Sequence, residues 1–246
     1  MLRRSLAAVS AAALLCGLAT AQAAKGGKHA VVVGVNEYAR DLSELSYAEN
    51  DAEEMAKRNI DTFLALDIDA VVTNVAGCGT MLKEYTEMLH DDPVYGPRAE
   101  AFVAKMKDIS EFLAALPFKP PAHPLPMRVT YHEACHLCHG QQIRSQPRAL
   151  LKSIPGLELI EMPESDWCCG AAGTYNLTQP EMSVRLAERK LANADSTGAA
   201  VLATGNVGCL MQLISHARET GRSLRMVHPI DLLDAAYRGE VLSSEC

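Results

Sequence analysis

Asp166-Trp167-Cys168-Cys169-Gly170-Ala171-Ala172-Gly173 is the stretch on which the reading of this chain turns. A disulfide between neighbouring cysteines strains the bridge geometry. Two adjacent thiolates therefore read as a pair of ligands for an iron–sulfur cluster or for zinc. Gly170 and Gly173 let the backbone approach a bound group closely. Trp167, the only tryptophan, stands beside the pair, where it would shield it from water. Cys135 and Cys138 lie upstream and Cys209 downstream, each where an apolar strand-like run meets a helix-like run.

Working outward from that stretch, Met127 to Tyr131 reads as a strand that opens into His132-Glu133-Ala134-Cys135-His136-Leu137-Cys138-His139-Gly140. A short helix near Pro147 to Ser153 and a strand from Leu157 to Met162 follow. After the cysteine pair, a helix runs from about Pro180 to Ala194, with proline well suited to its start. Ala199 to Thr204 is an apolar strand that turns at Gly205-Asn206-Val207-Gly208-Cys209 into the next helix. Arg225 to His228 and Pro229 to Tyr237 give a last strand and a last helix. Strands alternating with helices imply an α/β fold with a parallel sheet. The cysteines then fall at the carboxyl ends of strands, where such folds bind ligands, and near helix N-termini, which favour the thiolate.

The first half carries an echo of the second. Val71 to Cys78 reads V-V-T-N-V-A-G-C, and Val201 to Cys209 reads V-L-A-T-G-N-V-G-C. Around the first of these, Asp69 to Val75 is an expected strand and Thr80 to Leu89 an expected helix. A second helix is expected from about Arg98 to Leu116, with Phe102, Met106, Ile109 and Leu113 on one face. Pro120, Pro121, Pro124 and Pro126 mark 117–126 as an extended linker. Lys28 to Tyr38 reads as a buried strand and a turn, and Leu45 to Met55 as a helix capped by Asn50 or Asp51. Residues 1–23 have a basic start, an apolar run from Leu6 to Ala19 and an Ala21-Gln22-Ala23 cleavage site. That is the pattern of a signal peptide and implies export.

The chain has 246 residues, 48% of them hydrophobic, and a net charge of −7, which fits a globular protein and argues against a nucleic-acid partner. Its 8 cysteines include Cys16 in the leader and Cys246 at the terminus. A chain of this size needs no disulfide staples, so the spacing points to a metal centre. The C-x-x-C-H run from Cys135 to His139 is also the attachment signature of c-type haem. His132, Cys135, Cys138 and His139 could instead hold zinc. The plainer role for His132 and His136 is to orient the cysteine turn by hydrogen bonding, and His216 reads as a solvated or satisfied histidine.

Cys135, then Cys168-Cys169-Gly170, then Cys209 resembles the CCG cysteine-rich domain of heterodisulfide reductases and their relatives. The text around these cysteines is closer still to the iron–sulfur subunits of glycolate oxidase. It includes Tyr131 to His136, Gln146 to Leu151, Cys168 to Leu177 and Gly205 to Cys209, within a resemblance over about 58–238. It implies an iron–sulfur cluster, expected to be 4Fe-4S, on Cys135, Cys168, Cys169 and Cys209, with Cys138 and Cys78 as further candidates and zinc as the alternative. It implies an electron-transfer subunit without catalytic residues of its own. The partners would be flavin-containing subunits that oxidise glycolate to glyoxylate, on the cytoplasmic side of the inner membrane and attached to it only peripherally.

That family also has two ferredoxin-like cysteine runs and a complete first CCG repeat, which this sequence does not show, so a truncated subunit is expected. The CCG pattern can end Cys-x-x-Cys; here Gln212 and Met81 hold the last position. Residues 28–57 resemble the opening of caspase-like peptidases. The expected organisation is a leader at 1–23, a caspase-like graft at 24–57, a partial CCG repeat at 58–116, a linker at 117–126 and a complete CCG domain at 127–238.

Overall fold

The computed structural model describes residues 30–33, 48–117 and 119–240. The expected leader, Cys16, Cys246 and most of the caspase-like opening lie outside the described residues. In chain order the elements are β1 (Ala30–Val33), α1 (Ala48–Leu64), β2 (Ala70–Thr73), α2 (Ala76–Lys83), α3 (Tyr85–Met88), α4 (Tyr95–Lys105), β3 (Met106–Asp108) and α5 (Ile109–Ala115). There follow β4 (Met127–Tyr131), a π-helical turn (His136–Gly140), α6 (Ser145–Lys152), β5 (Leu157–Ile160), α7 (Tyr175–Thr178), α8 (Pro180–Ser196), β6 (Val201–Ala203), α9 (Val207–Glu219), β7 (Arg225–Val227) and α10 (Pro229–Arg238). Helices alternating with parallel strands make this an α/β protein, as the sequence implies.

Two compact units divide the chain. The first holds the described residues up to Asn74 together with Met81–Lys107. Its strands lie in the order β1-β2-β3, with β1 and β2 parallel. Its core gathers Ile60, Val71, Leu89, Phe102 and Met106, with Tyr85 stacked on Phe102 at 5.7 Å between centroids. Asp92 starts α4 by accepting hydrogen bonds from the N–H groups of Val94 and Tyr95, both at 2.9 Å. The Lys57 ammonium stands 2.8 Å from its other oxygen, and these contacts hold the Asp92 carboxyl down at about 2.

Local chemistry redraws several expected boundaries here. The single helix expected at 98–116 is two helices separated by β3. Met106, in extended backbone, ends the first, and Asp108 caps the second: its carboxylate accepts from the Ser110 N–H at 2.8 Å, and Glu111 accepts from the Asp108 N–H at 3.4 Å. That capping box outcompetes helix continuation. The helix expected at 80–89 starts earlier, at Ala76, and breaks at Glu84. The helix expected to be capped by Asn50 or Asp51 already begins at Ala48, so both lie inside it, and it runs unbroken through the expected domain edge at 57/58.

The second unit comprises Val75–Thr80 and the chain from Asp108 onward. Its four strands are all parallel and lie in the order β5-β4-β6-β7. Side chains alternate between the two faces. Leu202 and Met226 meet Leu191 of α8 and Leu213 of α9 on one face; Val129, Val201 and Val227 meet Leu151 of α6 and Leu232 of α10 on the other. Right-handed crossovers explain the sorting, because α6 leads the chain one way across the sheet and α8 and α9 lead it the other. The order reverses between β4 and β6, which is where a parallel sheet opens a crevice at its carboxyl edge.

The proline-rich stretch expected as a linker is bonded into this unit. The Leu125 N–H donates to Pro155 O at 2.8 Å, and the His123 N–H donates to Ala236 O at 3.3 Å. Among the described residues, no helix is long and apolar enough to cross a membrane.

Leu202, fully buried in the middle of β6, is the test of this core. Leu202→Ala should cost about 2–5 kcal/mol of stability in a urea titration of the metal-free chain. Met211→Ala, at a side chain 68% exposed, should change it by no more than about 0.5 kcal/mol. Equal losses in the two variants would contradict the placement of the core.

Candidate metal centre

Three loops at the carboxyl edge of the β5-β4-β6-β7 sheet bring the cysteines together. The first leaves β4 at His132, whose N–H donates to Ala203 O at 2.9 Å, so the strand stays tied to β6. The next N–H, of Glu133, donates to Ser165 O at 3.0 Å and ties the loop to the one after β5. The Glu133 carboxylate is nearly buried and is held by Arg144 at 3.0 Å and by Arg148. Arg148 also pairs with Glu161 at 3.0 Å and lies over the Tyr131 ring at 5.3 Å. A buried carboxylate is tolerated only with partners of this kind, and these two arginines fix the loop that carries Cys135.

The second loop runs from β5 to the cysteine pair. Arg189 and Asn193 bind the Glu164 carboxylate, at 2.7 and 2.9 Å. The Lys190 ammonium, on the buried face of α8, donates to the Glu164 carbonyl and, at 3.4 Å, to the Ser165 carbonyl. Burial lowers the Lys190 pKa, and the sulfurs of Cys169 and Cys168 are among the groups that push it back up. Gly170 has φ +91°, and a Cβ there would sit 2.4 Å from the Ser183 carbonyl oxygen, so no other residue fits. Ser183 Oγ donates to Gly170 O at 2.8 Å and accepts from Gln212 Nε2 at 2.9 Å. The third loop ends in the first turn of α9, which carries Cys209.

The thiols of Cys135, Cys168, Cys169 and Cys209 form one row in which each perturbs the proton affinity of its neighbours. Cys168 accepts from Cys135 and Cys169, and also from the Gly170 N–H at 3.2 Å, and its pKa falls to about 2. Cys209 is likewise held well below the ordinary thiol range, first by Cys169 and further by Asn206, whose amide donates at 3.3 Å. Cys135 and Cys169, as donors in the row and as buried groups, are pushed up. Cys168 and Cys209 are thus the pair held towards the thiolate, and Cys135 and Cys169 the pair held towards the thiol. Such a set of sulfurs suits a thiophilic metal, which replaces the protons. The side chains of His132, Cys169 and Cys209 are all buried, with ligand atoms within 4.8 Å of one another.

The further candidates stand apart. Cys138 is buried, with its Sγ 3.9 Å from the carbonyl oxygens of Glu133 and Cys135, and burial raises its pKa. Cys78 is half-buried in the first turn of α2, also raised by burial, and has no thiol partner among the described residues. Its neighbours do reach the site. The Gly77 N–H donates to Asn206 Oδ1 at 3.2 Å and the Ala76 N–H to Gly205 O at 3.1 Å, so Asn206 spans Gly77 and Cys209. Cys138 is fully buried, its Sγ against backbone carbonyls, while Cys135 is only half-buried, so the C-x-x-C-H thiols are not both open to a haem edge. The zinc set of His132, Cys135, Cys138 and His139 is not assembled either. His139 contacts the Asp166 carbonyl at 3.2 Å and Arg144 at 3.1 Å.

Trp167 does not cover the pair as expected; it is 50% exposed, with the Arg189 guanidinium 4.6 Å over its ring. His136 stands 3.8 Å from Cys135 Sγ, close to its expected orienting role, and His216 is satisfied by Glu188 at 3.0 Å. Lys190 and Asn206 are the functional residues that sequence reasoning missed. Lys190 had a readable signal, since it stands in the buried stripe of Ser183, Ala187, Leu191 and Ala194, where a lysine needs a buried acceptor.

The CCG cysteine-rich domain family matches residues 43–83 and 129–214, so the first match begins inside the stretch that resembles a caspase-like opening. The protein named "Probable glycolate oxidase iron-sulfur subunit" from Bacillus subtilis (strain 168) is 45% identical over 188 residues. That alignment covers 75% of this chain and 42% of the relative, so this chain spans less than half of that protein. "Lactate utilization protein A" from Halalkalibacterium halodurans is 33% identical over 189 residues, 76% of this chain and 77% of the relative. Among solved structures, glutamate racemase RacE1 from Bacillus anthracis is similar at 10% identity and a TM-score of 0.35, covering 81% of this chain and 70% of that one, too distant to bear on the fold.

The thiol row has a chemical signature in the metal-free chain. An ordinary thiol, with a pKa near about 8.5, loses about fiftyfold in alkylation rate between pH 8.5 and 6.5. The lowered pKa of Cys168 keeps its thiolate populated throughout that window. Its iodoacetamide rate, followed by peptide mass spectrometry, should therefore fall by less than about tenfold. A fall of about fiftyfold at Cys168 would refute the charge pattern.

Proposed function

The chain belongs to the CCG cysteine-rich domain family, and from that membership we propose that it is an iron–sulfur electron-transfer subunit of a glycolate oxidase-type complex. The observation that carries the reading is the row of four thiols drawn from three loops to one end of the sheet. Cys135, Cys168, Cys169 and Cys209 would hold the cluster, and a 4Fe-4S cluster suits four sulfur ligands. When bound, the cluster supplies a centre that takes up and gives back single electrons.

The chain's own residues set the conditions for that chemistry. The Gly170 N–H and the Asn206 amide donate to Cys168 and Cys209 and so stabilise negative sulfur. The Lys190 ammonium adds a buried positive charge on the same side. Leu137, Leu202 and Leu213 belong to the core cluster that includes Cys169 and Cys209, and they keep water from their inner side. As in the resemblance, this chain would carry electrons and leave the chemistry on the substrate to its partners. Oxidation of the substrate therefore falls to a flavin-containing partner, with glycolate, becoming glyoxylate, as the substrate we favour over lactate because the relative at 45% identity bears that name. Such a complex would sit at the cytoplasmic side of the inner membrane, with this subunit attached only through its partners.

Anaerobic reconstitution of the full chain with iron and sulfide tests the proposal. The expected product is a brown protein with a reducible centre. Cys168→Ser or Cys169→Ser should abolish that centre and strongly destabilise the second unit, because bound metal contributes folding free energy. Cys78→Ser and Cys246→Ser should leave the metal content unchanged. A colourless protein that takes up zinc and no iron would overturn the electron-transfer role. Equal loss of metal in all four variants would overturn the ligand assignment.

A further inference from the structure

We propose that His132 is itself a ligand of the centre, through Nε2, so that the metal is held by sulfur and nitrogen together. The inference rests on the metal-centre reading above and deepens it. His132 is the first residue beyond β4 and is fully buried. Its Nδ1 lies 2.9 Å from the Ser165 carbonyl oxygen. A carbonyl only accepts, so Nδ1 carries the proton and Nε2 presents a bare lone pair. Nε2 is buried and has no hydrogen-bond partner among the described residues. A polar atom is rarely left so without a reason.

What Nε2 faces is sulfur. A ring nitrogen of His132 lies with the Sγ atoms of Cys169 and Cys209 in a group whose members are all within 4.8 Å of one another, and Nδ1 is already engaged by the Ser165 carbonyl. A single metal ion with nitrogen at about 2.0 Å and sulfur at about 2.3 Å separates its donors by somewhat less than that, so a small closure around the metal completes the geometry. A histidine whose far nitrogen donates to a carbonyl is also the arrangement that fixes the tautomer and the ring plane of metal-bound imidazoles. The Ser165 carbonyl is itself held, since the Glu133 N–H and the Lys190 ammonium also donate to it.

His132 also answers a question the sequence leaves open. The pattern Cys-x-x-Cys would supply a fifth sulfur at position 212. Gln212 instead turns its amide to Ser183 and Asn176. The fifth donor, a nitrogen, comes from the end of β4. A neutral nitrogen leaves the centre less negative than an additional thiolate would, which raises its reduction potential.

Pulsed EPR of the reduced centre in the full chain, grown with and without 15N-labelled histidine, tests the assignment. The expected result is a strong nitrogen coupling that changes with the label and disappears in His132→Cys and His132→Gln, with a lower midpoint potential in His132→Cys. A centre whose spectrum ignores the histidine label overturns the assignment. So does a labelled coupling that survives in both variants and therefore comes from another histidine. If the chain takes zinc, X-ray absorption puts the same question: a mixed sulfur and nitrogen shell supports His132, and a sulfur-only shell overturns it. A centre held by sulfur alone refutes this inference but leaves the metal-centre reading intact, whereas failure to bind either metal refutes both.

Discussion

Four thiols crowded into one space must divide protons and charge among themselves, and the rest of this structure follows from how that division is supported. Cys168 and Cys209 are held towards the thiolate, and Cys135 and Cys169 towards the thiol. Each of the first pair has a donor from outside the row, the Gly170 N–H for Cys168 and the Asn206 amide for Cys209. Neither donor reaches sulfur without local demands on the chain. Gly170 needs a left-handed backbone packed hard against Ser183, and Asn206 must stand at the turn into α9. The parallel sheet gathers these demands at one edge, because only there do the loops after β4, β5 and β6 meet.

The Ser165 carbonyl is the point where these loops are fastened. It receives the Glu133 N–H from the loop after β4, Lys190 Nζ from α8, and contact with the His132 ring. One oxygen with several donors is strongly polarised, and it holds the imidazole, the cysteine pair and the buried lysine in fixed relation. The clamp of Arg144 and Arg148 on Glu133 supports the same loop from its other side. The centre is therefore held mainly by groups that do not touch it.

Much of this was legible in the sequence because it rests on period and spacing. The strands of the second unit show as short apolar runs, and Cys135, Cys168, Cys169 and Cys209 stand in the loops that follow them. The misreadings share a cause: they depended on where a side chain points. Cys138 shares a motif with Cys135, but a π-helical turn directs the two thiols to different places. Trp167 adjoins the pair in sequence yet lies under Arg189, outward of it. The apolar face of 98–116 reads as one helix because Met106, Ile109 and Leu113 keep helical spacing, while the capping chemistry of Asp108, a strictly local interaction, splits it. Lys190 shows only as a charge in an apolar stripe, and its acceptors lie 25 and 26 residues away.

The excursion of Val75–Thr80 into the second unit bears on the order in which the protein can be completed. The Gly77 N–H finds its acceptor on Asn206, 129 positions later. A ribosome adding about 5–20 residues per second takes roughly ten seconds to cover that interval. Throughout it, the Ala76–Thr80 turn lacks the carbonyl and amide that receive it. The segment must be kept open by the nascent chain and captured late, at the moment when Asn206 also becomes able to donate to Cys209. Closing a loop of that length carries an entropic cost that must be met before its contacts form. Capture of the turn and maturation of the sulfur site are therefore late events of synthesis, coupled through one asparagine side chain.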